Sequence, residues 1–241
     1  MNLGDMQKEI GLIVQDASLQ PLLTGWINNA ILEVANDYDL PPLALDDPAI
    51  LNVDTTAWLQ PLPSNFHKRL FMCKRLDTDT GRLRRVHIFS HIRHMAGKNH
   101  TFIGDHVKEV AVTIQGGSVQ GDNYYLAIHP LAVDTMYLWY FQKPAVLVEP
   151  NDVSDCIPPG YERRVLFPKL IIQNYNYIID QVRDFDIRPI QFWQTELIKG
   201  LFGARGQGIG LINFYNINYN PPRMVGNMNS IGYRPYYYGN F

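Results

Sequence analysis

Residues 87–106, HIFSHIRHMAGKNHTFIGDH, hold five of the chain's seven histidines: His87, His91, His94, His100 and His106. Imidazole ligates metals and moves protons near neutral pH, so a metal-dependent hydrolase is the first chemistry to weigh. On a helix His87, His91 and His94 would share one face. The surrounding RRVHIFSHI is rich in β-branched and aromatic residues and follows a turn, which favours a strand. On a strand His87 and His91 lie about 13 Å apart and His94 points to the other face. Zinc also needs close thiolate or carboxylate partners, and Cys73 is the only thiol near in sequence. The histidines therefore read as part of a polar, partly cationic surface.

Other candidate motifs fall to similar tests. DTDTG (77–81) opens like a calcium loop, but the twelfth position, where a bidentate Glu belongs, is Ile88. A hairpin turn accounts for it. GARGQGIG (203–210) lacks Gly-Lys-Ser/Thr and follows a helical pattern, whereas a phosphate loop follows a strand. It reads as a helix cap. Gly-x-Ser-x-Gly, His-Glu-x-x-His and Cys-x-x-Cys are all missing. No catalytic residue, cofactor or metal is expected.

The elements that carry these residues change period along the chain. Leu3, Met6, Ile10, Ile13 and Val14 fit one helical face. Asp16-Ala17-Ser18 is expected to break that helix and cap the next, with Pro21 in its first turn. Leu22, Leu23, Trp26, Ile27, Ala30, Ile31, Val34, Ala35 and Tyr38 give the strongest periodic signal. DLPPL (39–43) ends it. The two helices form a hairpin with an apolar seam and an acidic outside. From about Asn52 the period is 2. RLFMCKR, RLRRVHIF, KEVAVTIQ, NYYLAIHP and TMYLWYFQ alternate between turn signals. They predict an antiparallel sheet or small sandwich.

EPNDVSDCIPPG (149–160) reads as a turn-rich linker. Ile171, Tyr175, Ile178 and Val182 then share a helical face, with Pro168 starting or kinking the helix. Asp186 is expected to cap a last helix burying Ile190, Trp193, Leu197 and Leu201. The fold class is α+β: a helical bundle (1–51 and 161–202), an inserted antiparallel β lobe (52–148) and an extended, aromatic-rich C-terminal arm (203–241). The arm is rich in Gly and Asn yet carries eight aromatics, which suit an interface more than a linker. The alternatives are a loose tail or one folded back on its own domain.

Net charge is only −2 over 241 residues, but it is unevenly spread. Residues 1–54 hold nine acids against Lys8, and residues 67–98 hold nine bases against Asp77 and Asp79. Opposed acidic and basic surfaces follow, or else plainly solvated faces. Two cysteines make no disulfide framework. Asp5, Lys8 and Glu9 argue against a signal peptide. No apolar run approaches the roughly 18 residues of a spanning helix, so no membrane partner is expected.

The order of parts is familiar. LGDMQKEIGLIV is followed by LLTGWINNAILEVANDYDLPPL, then WLQPLPSNFHKRLFMCKR, YYLAIHP, TMYLWYFQKPAVL and IPPGYERRVLFPKLIIQNY. Over roughly residues 1–200 the chain resembles the head-to-tail adaptor (connector) proteins of tailed, particularly short-tailed, bacteriophages. Trp26–Ala35 and Leu62–Phe66 carry the match most closely. The resemblance implies a structural virion protein at the head–tail junction, assembled in the host cytoplasm. It implies a ring, typically a dodecamer, docked on the portal protein and holding the tail tube or nozzle protein. Genomic double-stranded DNA would pass through the lumen without sequence-specific binding.

Two sets of contact residues follow as expectations. In the arm, Phe214, Tyr215, Tyr219, Arg223, Tyr233, Arg234, Tyr236, Tyr237, Tyr238 and Phe241 are candidates for portal binding. On the β lobe, Arg82, Arg84, Arg85, His91 and Arg93 are candidates for contact with a partner or with DNA. The competing readings are a nucleic-acid-binding module using residues 67–98 with Phe71, Phe89 and Phe102, and, behind it, the metal-dependent hydrolase.

Overall fold

A computed structural model describes residues 1–15, 19–54, 56–57, 59–77, 80–89, 111–115, 124–129, 135–181, 188–204 and 208–218. The chain is α+β, as its changing period predicts.

Asn2 caps the first helix, α1 (Leu3–Val14), its Oδ1 accepting from the Asp5 amide at 2.8 Å. Leu3, Met6, Ile10 and Val14 are buried along one face, and Gln15 ends the helix at φ 55°. α2 (Gln20–Asp37) carries Pro21 in its first turn, where the missing amide costs nothing. The expected side-chain cap is corrected: Leu19 occupies the cap position with no side-chain bond, and Asp16–Ser18 lie outside the described residues. α2 buries Leu23, Ile27, Ala30, Ile31, Val34 and Ala35, the periodic stripe read from sequence, while Leu22 is exposed.

The strands begin at Ala49, slightly before the expected change of period. They are β1 (Ala49–Asn52), β2 (Leu59–Pro61), β3 (Phe66–Asp77), β4 (Arg82–Arg85), β5 (His87–Phe89), β6 (Ala111–Gln115), β7 (Tyr125–His129) and β8 (Thr135–Gln142). They form two four-stranded sheets, ordered β1-β8-β3-β4 and β2-β7-β6-β5. Cys73, Met136, Leu138 and Tyr140 of the first sheet meet Val112, Leu126 and Ile128 of the second in one core, so the lobe is a sandwich. One pairing corrects the antiparallel expectation: β5 runs parallel to β6. RLRRVHIF is two strands rather than one. Val86, buried between them, donates its amide to Cys73 O at 2.9 Å, and the chain there crosses from one sheet to the other.

After β8 the chain returns to the bundle. Leu147 is buried because the Asn28 side chain brackets its backbone, donating to its carbonyl and accepting from its amide, both at 2.9 Å. The turn-rich stretch is tied into the core. Leu3 N and Gly4 N donate to Asp152 O and Pro150 O, each at 2.8 Å, and Cys156 and Ile157 are buried. A π-helical turn (Glu162–Leu166) leads into α3 (Phe167–Gln173) and α4 (Tyr175–Gln181). α5 (Ile190–Phe202) starts at Pro189; Asp186, the expected cap, lies outside the described residues. Gly200 lets α5 lie directly on the π turn, since a Cβ there would stand 1.9 Å from Arg164 O.

The arm is the largest correction. Gly203–Ala204 and Gly208–Ile209 pair as a small hairpin, β9 and β10, and Leu211–Asn218 form a helix, α6. Leu211 and Tyr215 are buried in the bundle core. Residues 203–204 and 208–218 are thus folded back on the bundle rather than extended. Apolar side chains at 211, 214 and 215 and close backbone contact at Gly203 and Gly210 hold them there.

Candidate functional site

The joint between bundle and sandwich is built from a distorted strand. β3 slips register at Phe66/Lys68, Lys68/Leu70 and Leu70/Met72, and Arg69 sits at φ 48°. A left-handed non-glycine residue costs about 1–2 kcal/mol. Here it places consecutive side chains against the end of α2. Lys68 Nζ donates to Asn36 O at 3.0 Å and Tyr38 O at 2.7 Å, capping that helix from outside. Lys68 also meets Asp39 at 3.3 Å, and Arg69 bonds the same carboxylate. Burial lowers the Lys68 pKa, with Asp39 opposing. His67 is buried, its Nε2 has no partner, and burial followed by the Lys68 charge holds its imidazole below the usual range.

The bundle's acids are cross-tied in the same way. Arg163 binds Glu9, with its Nε at 2.7 Å from Oε2. Lys169 meets Glu33 at 3.0 Å and Asp37 at 3.1 Å. The acidic outside of the helical hairpin is therefore partly neutralised by bases from the closing helices and from β3.

Among the described residues, a sheet face and a groove at the root of the arm stand open. The first is the outer face of the β1-β8-β3-β4 sheet, where Ile50, Tyr137, Lys74 and Arg85 form one cross-strand row and Leu76 and Leu83 another. Every residue of β4 is exposed, which places Arg82, Arg84 and Arg85 at the surface as expected from their run of charge. Lys74 lies 5.3 Å from the centroid of the Trp139 ring. The second is a groove of about 500 Å³ at the root of the arm, lined in part by Phe202, Ile209, Asn213 and Ile217. Sequence reading missed this groove because its walls come from three elements, two of them hidden in the Gly- and Asn-rich segment.

The arm candidates divide sharply. Tyr215 is 4% exposed and its hydroxyl donates to Cys156 O, so it belongs to the core. Phe214 packs against that core, its ring 5.5 Å from Tyr161 and 5.6 Å from Tyr215. These two are not free to bind a partner as an arm. Tyr219, Arg223, Tyr233, Arg234, Tyr236, Tyr237, Tyr238 and Phe241 lie outside the described residues, as do His91 and Arg93. Among the described residues no group of three or more His, Cys, Asp or Glu is placed to hold a metal. Burial pushes the thiols of Cys73 and Cys156 up to about 12, which leaves them protonated and unreactive. Among the described residues no helix is long and apolar enough to cross a membrane.

No curated protein matches the chain. A family model does: that of the SU10 adaptor protein, over residues 1–197. The matched span runs from the first residue through both helical segments and the whole β sandwich, and stops inside α5, before the hairpin and α6. The resemblance to phage head-to-tail adaptors noted from the sequence motifs is borne out. The chain belongs to the SU10 adaptor protein family, and is thus a phage structural adaptor protein.

Proposed function

We propose that this adaptor is a virion component that forms a ring, a dodecamer, joining the portal protein to the tail tube or nozzle protein. Genomic double-stranded DNA passes through its lumen without being read, and the protein turns over no substrate. The observation that carries this reading is the family match over residues 1–197. The division of labour we infer is a helical bundle (1–51 and 161–202) that gives the ring its rigid wall and a β lobe (52–148) that presents contact surface, with 149–160 connecting them.

The cross-tied acids favour a channel role over a DNA-gripping one. Lys68 and Arg69 are engaged by Asp39, so they are not offered to phosphates. A gripping module would show a steep fall of affinity with salt. Reversing the charges of Arg82, Arg84, Arg85 and Arg93 is expected to impair particle assembly; normal particle yield counts against their role as contacts.

Portal binding is assigned to Tyr219–Phe241, the part of the arm beyond α6. The test is a chain ending at Asn218, which keeps Tyr215 and the hairpin in place. Loss of portal binding with unchanged thermal unfolding supports the assignment, and undiminished portal affinity refutes it. Truncation at 203 is not informative, since it strips buried residues from the bundle.

The nucleic-acid-binding reading retains one observation, the exposed arginines of β4. A gel shift with free duplex DNA at graded salt separates it from the adaptor reading.

A further inference from the structure

The molecule carries a second apolar surface whose charge is opposite to that of the open sheet face. Around the Asn28-bracketed Leu147, the flanking Val146 and Val148 point outward and are 70% and 68% exposed. Val153 joins them, 54% exposed and bridged to Asn2. Acids adjoin these valines. Asp152 holds the Val148 and Glu149 amides at 2.7 and 2.8 Å, and Asp155 holds the Ala145 amide at 3.1 Å. Glu149, next to Val148 in the chain, is exposed.

The open sheet face is its counterpart. Ile50 and Leu83 are 61% and 47% exposed there, and the charges in their rows are Lys74 and Arg85. Neither cation forms an ion pair with a described residue. Exposed apolar side chains in contiguous rows mark contact surfaces. Acids adjoin one patch, while Lys74 and Arg85 are the charges within the rows of the other, which exposed Asp46 borders through its carbonyl on Trp139 Nε1 at 3.3 Å; the two patches lie on different parts of the chain. That is the arrangement a head-to-tail contact requires, whereas a two-fold contact needs one self-complementary patch.

We propose that these two surfaces mate head to tail between copies of this chain, with Val146, Val148 and Val153 seated on Leu83, Leu76 and Ile50. Glu149 then faces Lys74 and Arg85. Such mating deepens the ring reading above and rests on it. A heterologous contact of this kind repeats around an axis and closes when the rotation per subunit permits.

Three full-length variants test it by sedimentation over a wide concentration range: Lys74→Glu with Arg85→Glu, Glu149→Lys, and Leu83→Ser. Wild type is expected to gain mass with concentration. Each variant is expected to weaken that association about tenfold or more, because like charges or a lost apolar contact meet at the seam. Mixing the first two variants is expected to restore complexes, since each still carries one wild-type surface. Leu83→Ser leaves every charge in place, so its loss of association does not depend on a charge change disturbing the fold. A wild-type chain that stays monomeric throughout overturns the self-contact, while the adaptor role is judged separately by portal binding. Association that is unchanged in the variants, or lost but not restored by mixing, overturns these surfaces and leaves the ring reading standing. Duplex DNA binding that Lys74→Glu with Arg85→Glu abolishes, at unchanged self-association, assigns the sheet face to nucleic acid and also overturns the proposal.

Discussion

In the helical bundle Glu9, Glu33, Asp37 and Asp39 each meet a cation from a distant part of the chain. In the β sandwich Arg82, Arg84 and Arg85 stand on an exposed edge strand. Both are runs of like charge in the sequence, and they end differently. Helical acids spaced along one side are reached by Lys169 and Arg163 because the closing helices pack against the opening pair. Strand residues at a sheet edge have a packed neighbour on one side only. Edge charges also keep the unpaired backbone from accepting the wrong strand. A charge run thus reports an open surface only when no other element packs over the face that bears it.

The contrast can be broken at several points. The largest effect is expected where backbone meets backbone. Gly200→Ala drives a Cβ into Arg164 O and is expected to destabilise the bundle by about 3 kcal/mol, read by denaturant unfolding. In the sandwich, Leu138→Ala empties part of the seam between the sheets at a similar cost, about 3 kcal/mol. If bundle and sandwich unfold independently, each substitution shifts only its own transition. A single shared transition instead shows that the joint couples them.

Lys68→Met probes that joint. It removes two hydrogen bonds to the end of α2 and leaves Asp39 with Arg69 alone, for an expected loss of about 1–2 kcal/mol. A loss too small to measure would mean that water caps the helix equally well. His67 gives the joint a pH dependence. Its folded pKa is depressed by burial, so below about 6.5 the unfolded chain takes up the proton first. Stability is therefore full above that pH and falls as pH drops from there toward the folded pKa. His67→Gln is expected to flatten this slope in unfolding titrations run from pH 7.5 to 5. The smallest effect belongs to the edge: Arg82→Gln is expected to change stability by less than about 0.5 kcal/mol.

Much of the bundle was legible because its signal is local. The stripe from Leu23 to Ala35 repeats at helical spacing, and those same residues are buried. The breaks were harder. RLRRVHIF alternates without interruption, yet Val86 turns the chain from one sheet into the other; period 2 does not register a sandwich corner. α6 was read as arm because LINFYNIN is bounded by glycines and asparagines. Its burial depends on long-range partners, Cys156 O for Tyr215 and Tyr161 for Phe214. The sheet face and the valine patch around Leu147 were half visible. Arginines 82, 84 and 85 stood out, whereas Val146 and Val148 were ordinary apolar residues until Asn28 fixed Leu147 between them.

The adaptor role itself is tested most directly by electron microscopy of the full chain mixed with the portal protein of the same phage. The expected result is a closed ring of added density on one end of the portal, lost when the chain stops at Asn218. A portal that stays bare in the presence of excess full-length chain contradicts the account.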